Sequence, residues 1–441
     1  MTQTNETKPS QRWAIVGGGM LGLTLAHRLV QQGHLVTLFE GAAELGGLAS
    51  AWTLGDIVWD RHYHVTLLSD MALRSLLREL NLEQDMQWVE TKTGVYAGGT
   101  LYSVSNAIEF LKFPPLRLMD KLRLGFTILY AARIRNWQRL ETLPVETWLR
   151  RWSGDRTFDT FWLPLLRAKL GENYRHASAA FIWAIIARLY AARRTGLKKE
   201  MFGYVPGGYA RILERFGQVL QQAGVDICLG QRITAVRSHP DGQVTVETAA
   251  GERACFDQVA VTVAAPVAAQ ICPQLSPEEC DRLKRLRYQG IICASVLLKR
   301  PLSPYYVTNI TDAWVPFTGV IEMTALVDPQ AFGGRHLVYL PKYVPAEDPA
   351  FQLSDAELET QFVAALERMY PDFHPSDVLN VRISRVPYVL AISTLNYSQQ
   401  LPSVQTSLPG IYIANSAHIL NGTLNVNETV QLAEQFAARL G

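Results

Sequence analysis

The sequence predicts an α/β fold: a parallel-sheet domain built from separated pieces of the chain, with an α+β domain interleaved between them. Three observations carry this. The chain opens on an apolar run, a glycine-rich turn, a helical pattern and a second apolar run. After residue 203 a helix is followed by strand, hairpin and strand patterns. Near the end of the sequence a last strand, turn and helix follow one another. Between these pieces lie a mainly helical stretch, 106–197, and a β-rich stretch, 283–390.

The opening unit is the most specific. Residues 14–16 suit a buried parallel strand. Gly17, Gly19 and Gly22 form G-x-G-x-x-G, with Met20 and Leu21 in the first helical turn. Gly17 allows a tight turn, Gly19 lets a pyrophosphate approach the backbone, and Gly22 lets helix and sheet pack closely. The helix N-terminus offers free N–H groups to phosphates. Residues 35–39 form the next strand, and Glu40 at its end is placed to accept ribose hydroxyls. The unit is Rossmann-like and binds a dinucleotide.

Gly46 and Gly47 follow Glu40 in the arrangement Glu-x5-Gly-Gly. This resembles the FAD-binding flavoprotein superfamily of amine oxidases, protoporphyrinogen oxidases, carotenoid desaturases and UDP-galactopyranose mutases. Leu48 stands where those proteins usually carry a basic residue. The resemblance implies FAD as cofactor. It also implies a Rossmann-like FAD-binding domain from 12–70, 203–282 and 400–441, and a substrate domain from 71–202 and 283–399. In such a protein the backbone at Ile233 meets the adenine. The closing turn carries Asn425, and N–H groups near Val426 and Asn427 face the flavin C2 carbonyl. Asn415 stands where many relatives carry an acid or glycine.

Composition is that of a globular protein with a large core: 441 residues, 48% hydrophobic and 19% charged. A net charge of +2 gives no global pull toward nucleic acid. The five cysteines form no C-x-x-C pair, and an odd count makes a poor disulfide framework, so a cytoplasmic location is expected. Residues 1–11 are polar and read as a disordered tail. No apolar run reaches the ~18–20 residues that span a bilayer.

Residues 60–64, Asp-Arg-His-Tyr-His, are the most distinctive local feature. Relatives often read Asp-x-Gly-Gly there, with backbone along the flavin. Here His62 and Tyr63 replace the glycines, as in a prokaryotic branch of the superfamily with unassigned substrates. His64 is a candidate proton carrier beside flavin N5, with His62 and Tyr63 as further catalytic candidates. The His-x-His pair lacks a third ligand, so no metal is expected. Amine oxidases carry a lysine on a strand that aligns loosely with 291–298, where Cys293 falls. Arg167, Arg188, Tyr204 and Tyr343 are candidates for holding a small-molecule substrate. An arginine among apolar neighbours, as at 188, must find a partner or bind an anion.

The helical insert alternates aromatics with Lys and Arg. That pattern suits either a solvated basic face or peripheral contact with an anionic membrane. Three functions stay open. One is an oxidoreductase taking a hydride from a small or hydrophobic molecule onto flavin N5. The second is a mutase-like flavoenzyme acting on a nucleotide sugar without net redox change. The third is a non-catalytic FAD carrier. Substrate, electron acceptor and oligomeric state are not readable at this level.

Overall fold

A computed structural model describes residues 10–193, 201–420 and 422–440. Its parallel sheet has the strand order Asp226–Cys228, Leu35–Phe39, Arg12–Val16, Gln258–Val261, Ile411–Ile413. Arg12–Val16 is the centre, paired in parallel with Leu35–Phe39 and Gln258–Val261. From Trp13 onward its residues are all buried, because both faces of a parallel sheet are covered. The helices Met20–Gln31, Gly208–Gln222 and Val426–Leu440 share one core with the sheet. A second core joins the sheet to the antiparallel strands Ile233–Ser238, Val244–Thr248 and Arg253–Phe256 and to the helix Ala265–Ile271.

The other large sheet has seven strands. Tyr288–Leu298 lies between Val378–Ala391 and His336–Pro345, antiparallel to both, and all its residues are buried. The helix Asp355–Met369 fills one core on this sheet with Leu358, Phe362 and Leu366. Helices between Ala107 and Arg193 enclose a core of their own around Trp148, Phe158, Trp162 and Trp183. The hairpin Thr93–Ala97/Thr100–Ser103 turns at Gly98 and Gly99, whose φ values of 59° and 76° suit the mirror-image turns of tight hairpins.

The structure departs from the sequence reading in three places. Met71–Glu79, expected in the substrate domain, packs Leu73, Leu76 and Leu77 into the first core. The hairpin Ala51–Leu54/Ile57–Asp60, expected in the FAD-binding domain, instead sets Leu54, Ile57 and Trp59 on the larger sheet. Packing therefore interleaves across residue 70. The expected disordered tail falls on residues 1–9, outside the described residues, but Ser10 and Gln11 are held. Ser10 Oγ donates to Gly33 O at 2.7 Å and Leu35 N to Gln11 O at 3.0 Å.

Candidate active site

A cavity of about 670 Å³ runs from the glycine turn to the space between the domains. At its first end the strand Arg12–Val16 turns through Gly17 into the helix capped by Gly19. Gly46 N donates to Gly18 O at 2.8 Å, so the two glycine pairs lie backbone against backbone. Glu40 forms the wall, its carboxylate accepting Gly18 N at 2.7 Å and Ala42 N at 2.8 Å. Met20, Leu21, Gly47 and Leu48 complete this end.

The C-terminal elements form another wall. Asn425 organises the start of the last helix: its Oδ1 accepts Glu428 N at 3.1 Å and its carbonyl accepts Thr429 N at 3.1 Å. The N–H groups of Val426 and Asn427 stand in the first helical turn, where intrahelical acceptors are lacking. Negative charge is favoured there. Asn415 is buried; its Oδ1 accepts Ala417 N at 3.1 Å, while its Nδ2 has no partner among the described residues.

Between the two ends run Asp60 to His64. Asp60 is buried, accepting Tyr209 N on Oδ1 at 2.7 Å and the Tyr339 hydroxyl on its carbonyl at 2.6 Å. Burial pushes its carboxyl up to about 7. His62 Nδ1 lies 3.1 Å from Leu48 O and His64 Nδ1 lies 2.9 Å from His62 O. A carbonyl only accepts, so each ring is protonated on Nδ1 and Nε2 is the free base. Burial brings both rings down to about 4, so both are neutral near pH 7. The hydroxyls of Tyr63 and Tyr343 are 2.9 Å apart. His62, Tyr63, His64 and Tyr343 all line the cavity.

A profile described as flavin containing amine oxidoreductase matches residues 21–440. The chain belongs to that family. This flavin oxidoreductase takes FAD as its cofactor. It is 22% identical over 435 residues to 15-cis-phytoene desaturase of Narcissus pseudonarcissus, covering 91% of this chain and 74% of that one. Its fold is shared with putrescine oxidase bound to putrescine, at TM-score 0.73 and 18% identity over 98% and 99% of the two chains. It is likewise shared with reduced UDP-galactopyranose mutase, at TM-score 0.76 and 16% identity over 98% and 94%.

The residues at the glycine end fit FAD. A Cβ on Gly19 would meet nothing nearer than Gly46 O at 4.0 Å, so the space beside it is open to a pyrophosphate. The orphaned Asn415 Nδ2 and His62 Nε2 add polar groups that a bound molecule can satisfy. Gly22 does not line the cavity; it serves packing. Ile233 is buried in the antiparallel sheet and is also absent from the lining, and Asn427 turns its side chain away to accept Leu73 N at 3.1 Å.

Of the expected substrate residues the flavin oxidoreductase brings Arg188 and Tyr343 to the cavity. Arg188 Nη2 donates to Asp70 Oδ2 at 3.0 Å, the partner that an arginine in apolar surroundings requires. Arg167 faces Glu172 at 3.1 Å and lines a separate cavity of about 340 Å³. The Tyr204 hydroxyl donates to Gln87 at 2.6 Å, away from the site. The sequence reading missed Lys169, Phe181, Ile185 and the run 388–390. Lys169 and Arg167 stand at about equal angles, roughly 80°, on either side of the buried pair Leu166 and Leu170 of the helix Leu163–Leu170, so spacing alone does not say which of them enters the cavity. Cys293 is buried beside Tyr339, and Ile291 is the residue of that strand that lines the cavity.

Proposed function

We propose that this chain dehydrogenates a largely apolar organic molecule bound between the domains. One C–H bond of the substrate would break as hydride and a neighbouring proton would leave to a base. FAD supplies the two-electron acceptor. His64 would take the proton on Nε2; its Nδ1–H is fixed by His62 O and its neutrality near pH 7 keeps that nitrogen available. The helix start at Val426 would favour negative charge at its end of the cavity. Phe181, Ile185, Ile291, Val389 and Leu390 would hold the apolar body and keep water out.

The observation that carries this reading is the continuity of one cavity from the glycine cradle to the His64 ring and this apolar wall. A nucleotide diphosphate held by arginines finds little support among the described lining residues. Arg188 is the one lining arginine among the described residues, and Asp70 already holds it. The test is anaerobic mixing of the FAD-loaded protein with amines, isoprenoids, porphyrinogens and nucleotide sugars. Bleaching of the flavin by an apolar substrate is expected. Turnover of a nucleotide sugar after chemical reduction, without net redox change, would replace this reading.

The proposal includes a membrane contact. In the helix Leu118–Ala131, Leu124, Thr127 and Ala131 are buried, whereas Leu118, Leu122 and Phe126 are 62%, 55% and 55% exposed. Met119 adds an apolar side chain that is 67% exposed. Lys112, Arg117, Arg123 and Arg133 flank this face, so its charge complements an anionic bilayer surface. Trp183 Nε1 donates to Ala131 O at 3.1 Å and joins this helix to Ala179–Arg193, whose Phe181 and Ile185 line the cavity. No described helix is long and apolar enough to cross a membrane.

A further inference from the structure

The cavity is electrically lopsided. Among the described residues lining it, Glu40 is the single carboxylate, and two backbone N–H groups already occupy it at the glycine end. His62 and His64 are neutral near pH 7, and Asp60 lies behind them outside the lining. Two cations remain. Arg188 is neutralised by Asp70 at 3.0 Å. Lys169 has no acidic partner among the described residues; its ammonium rests 4.3 Å from the centre of the Tyr343 ring. A ring face attracts an ammonium but leaves its N–H donors unsatisfied.

The ring beneath Lys169 belongs to a hydroxyl pair. Tyr63 and Tyr343 meet at 2.9 Å, so one hydroxyl hydrogen is spent between them and the other is left to donate. An ammonium and a spare O–H beside one ring are two donors for one small oxyanion.

We propose, resting on the oxidoreductase reading above, that Lys169 and the Tyr63–Tyr343 pair form a carboxylate-binding subsite. The substrate class is then an apolar molecule ending in a carboxylate. The ammonium binds one oxygen, the free hydroxyl donates to the other, and the apolar body extends along Phe181, Ile185 and Leu390. A cationic amine is rejected, because it would meet an unpaired lysine with no carboxylate on the surrounding wall.

The test is calorimetric titration of the FAD-loaded protein with dodecanoate, dodecanol and dodecylamine, all below their micelle concentrations. Dodecanoate is expected to bind about tenfold or more tighter than dodecanol, with dodecylamine weakest. Lys169→Met should abolish the advantage of dodecanoate and leave dodecanol unchanged. Lys169→Glu should reverse the order in favour of dodecylamine. Equal affinities in the unmodified protein, no dodecanoate binding, or an advantage that survives Lys169→Met would each overturn the subsite. Flavin content is read separately by visible absorbance. A yellow protein that does not discriminate overturns the subsite alone. A protein that discriminates but whose bound flavin is bleached by no apolar carboxylate under anaerobic conditions supports the subsite and overturns the dehydrogenation reading.

Discussion

A methyl group on Gly22 would lie 1.9 Å from the carbonyl oxygen of Gly17. The helix thus touches the turn that precedes it, and backbone cannot move aside as a flexible side chain would. Gly22→Ala should destabilise the protein by about 1–3 kcal/mol or more, measured by urea unfolding. Gly19 differs. Its φ is −73° and a Cβ there would meet no protein atom nearer than Gly46 O at 4.0 Å, so Gly19→Val should keep the fold and lose FAD. Retention of full FAD affinity in Gly19→Val would refute the placement of the pyrophosphate.

Asn427 joins two helices that are distant in sequence. Its Oδ1 accepts the N–H of Leu73, which lies in the first turn of Met71–Glu79 and lacks an intrahelical acceptor. Asn427→Ala leaves that buried donor unsatisfied, at a cost of about 1–3 kcal/mol. Thermal unfolding should show it. Asn427→Asp keeps an acceptor and should recover part of the loss; equal loss in both variants would show that the bond is unimportant.

His64 Nδ1 and Asp60 Oδ2 are 4.0 Å apart, and burial shifts the two groups so that both are neutral between about 4 and about 7. Their effects on stability have opposite signs. The fold disfavours protonated His64, so its contribution is full above the unfolded value of 6.5 and is lost as pH falls toward about 4. The fold favours protonated Asp60, so its contribution is full below 3.8 and is lost as pH rises through about 7. Relative to the unmodified protein, Asp60→Asn should therefore gain stability between pH 4 and pH 7. A ring titration of His64 near 6.5 by NMR would contradict this account. His64→Ala should keep its flavin and slow the reduction of that flavin by substrate, by about 100-fold or more.

The exposed face of Leu118–Ala131 gives a fourth expectation. The protein should co-sediment with vesicles containing phosphatidylglycerol more than with neutral phosphatidylcholine, and salt should weaken this. Trp152, 4.3 Å from Tyr130 and 6.1 Å from Phe126 by ring centroids, should report contact through its fluorescence. Leu122→Glu with Phe126→Glu should stay in the supernatant. If that pair leaves sedimentation unchanged but splits a dimer, the face binds a second copy instead.

What was legible in the sequence was what short-range chemistry dictates. The unit from Trp13 to Gly47 could be read because strand, glycines, helix and acid each leave a local mark. The insert read as helical, and Arg188 as needing a partner, for the same reason. The contact of Asn427 with Leu73 spans 354 positions and leaves no local mark. The membership of Met71–Glu79 in the first core depends on the last helix reaching it, which apolar spacing alone does not reveal. Arg167 and Lys169 differ by an angle: two residues along a helix turn the side chain by about 200°, and a basic segment does not say which cation faces inward.

The strand order of the parallel sheet also sets a timetable for synthesis. The central strand leaves the ribosome early, but Arg12 finds its partner Asp257 only 245 residues later. The edge strand Ile411–Ile413 emerges later still, followed by Asn415 and by Asn425 and Val426 at the start of the last helix, which line the cavity. A nascent chain therefore holds residues for one half of the cofactor long before it has those for the other. Capture of FAD waits for residues 415–429, and until the strand Ile411–Ile413 emerges the half-built sheet presents an open strand edge.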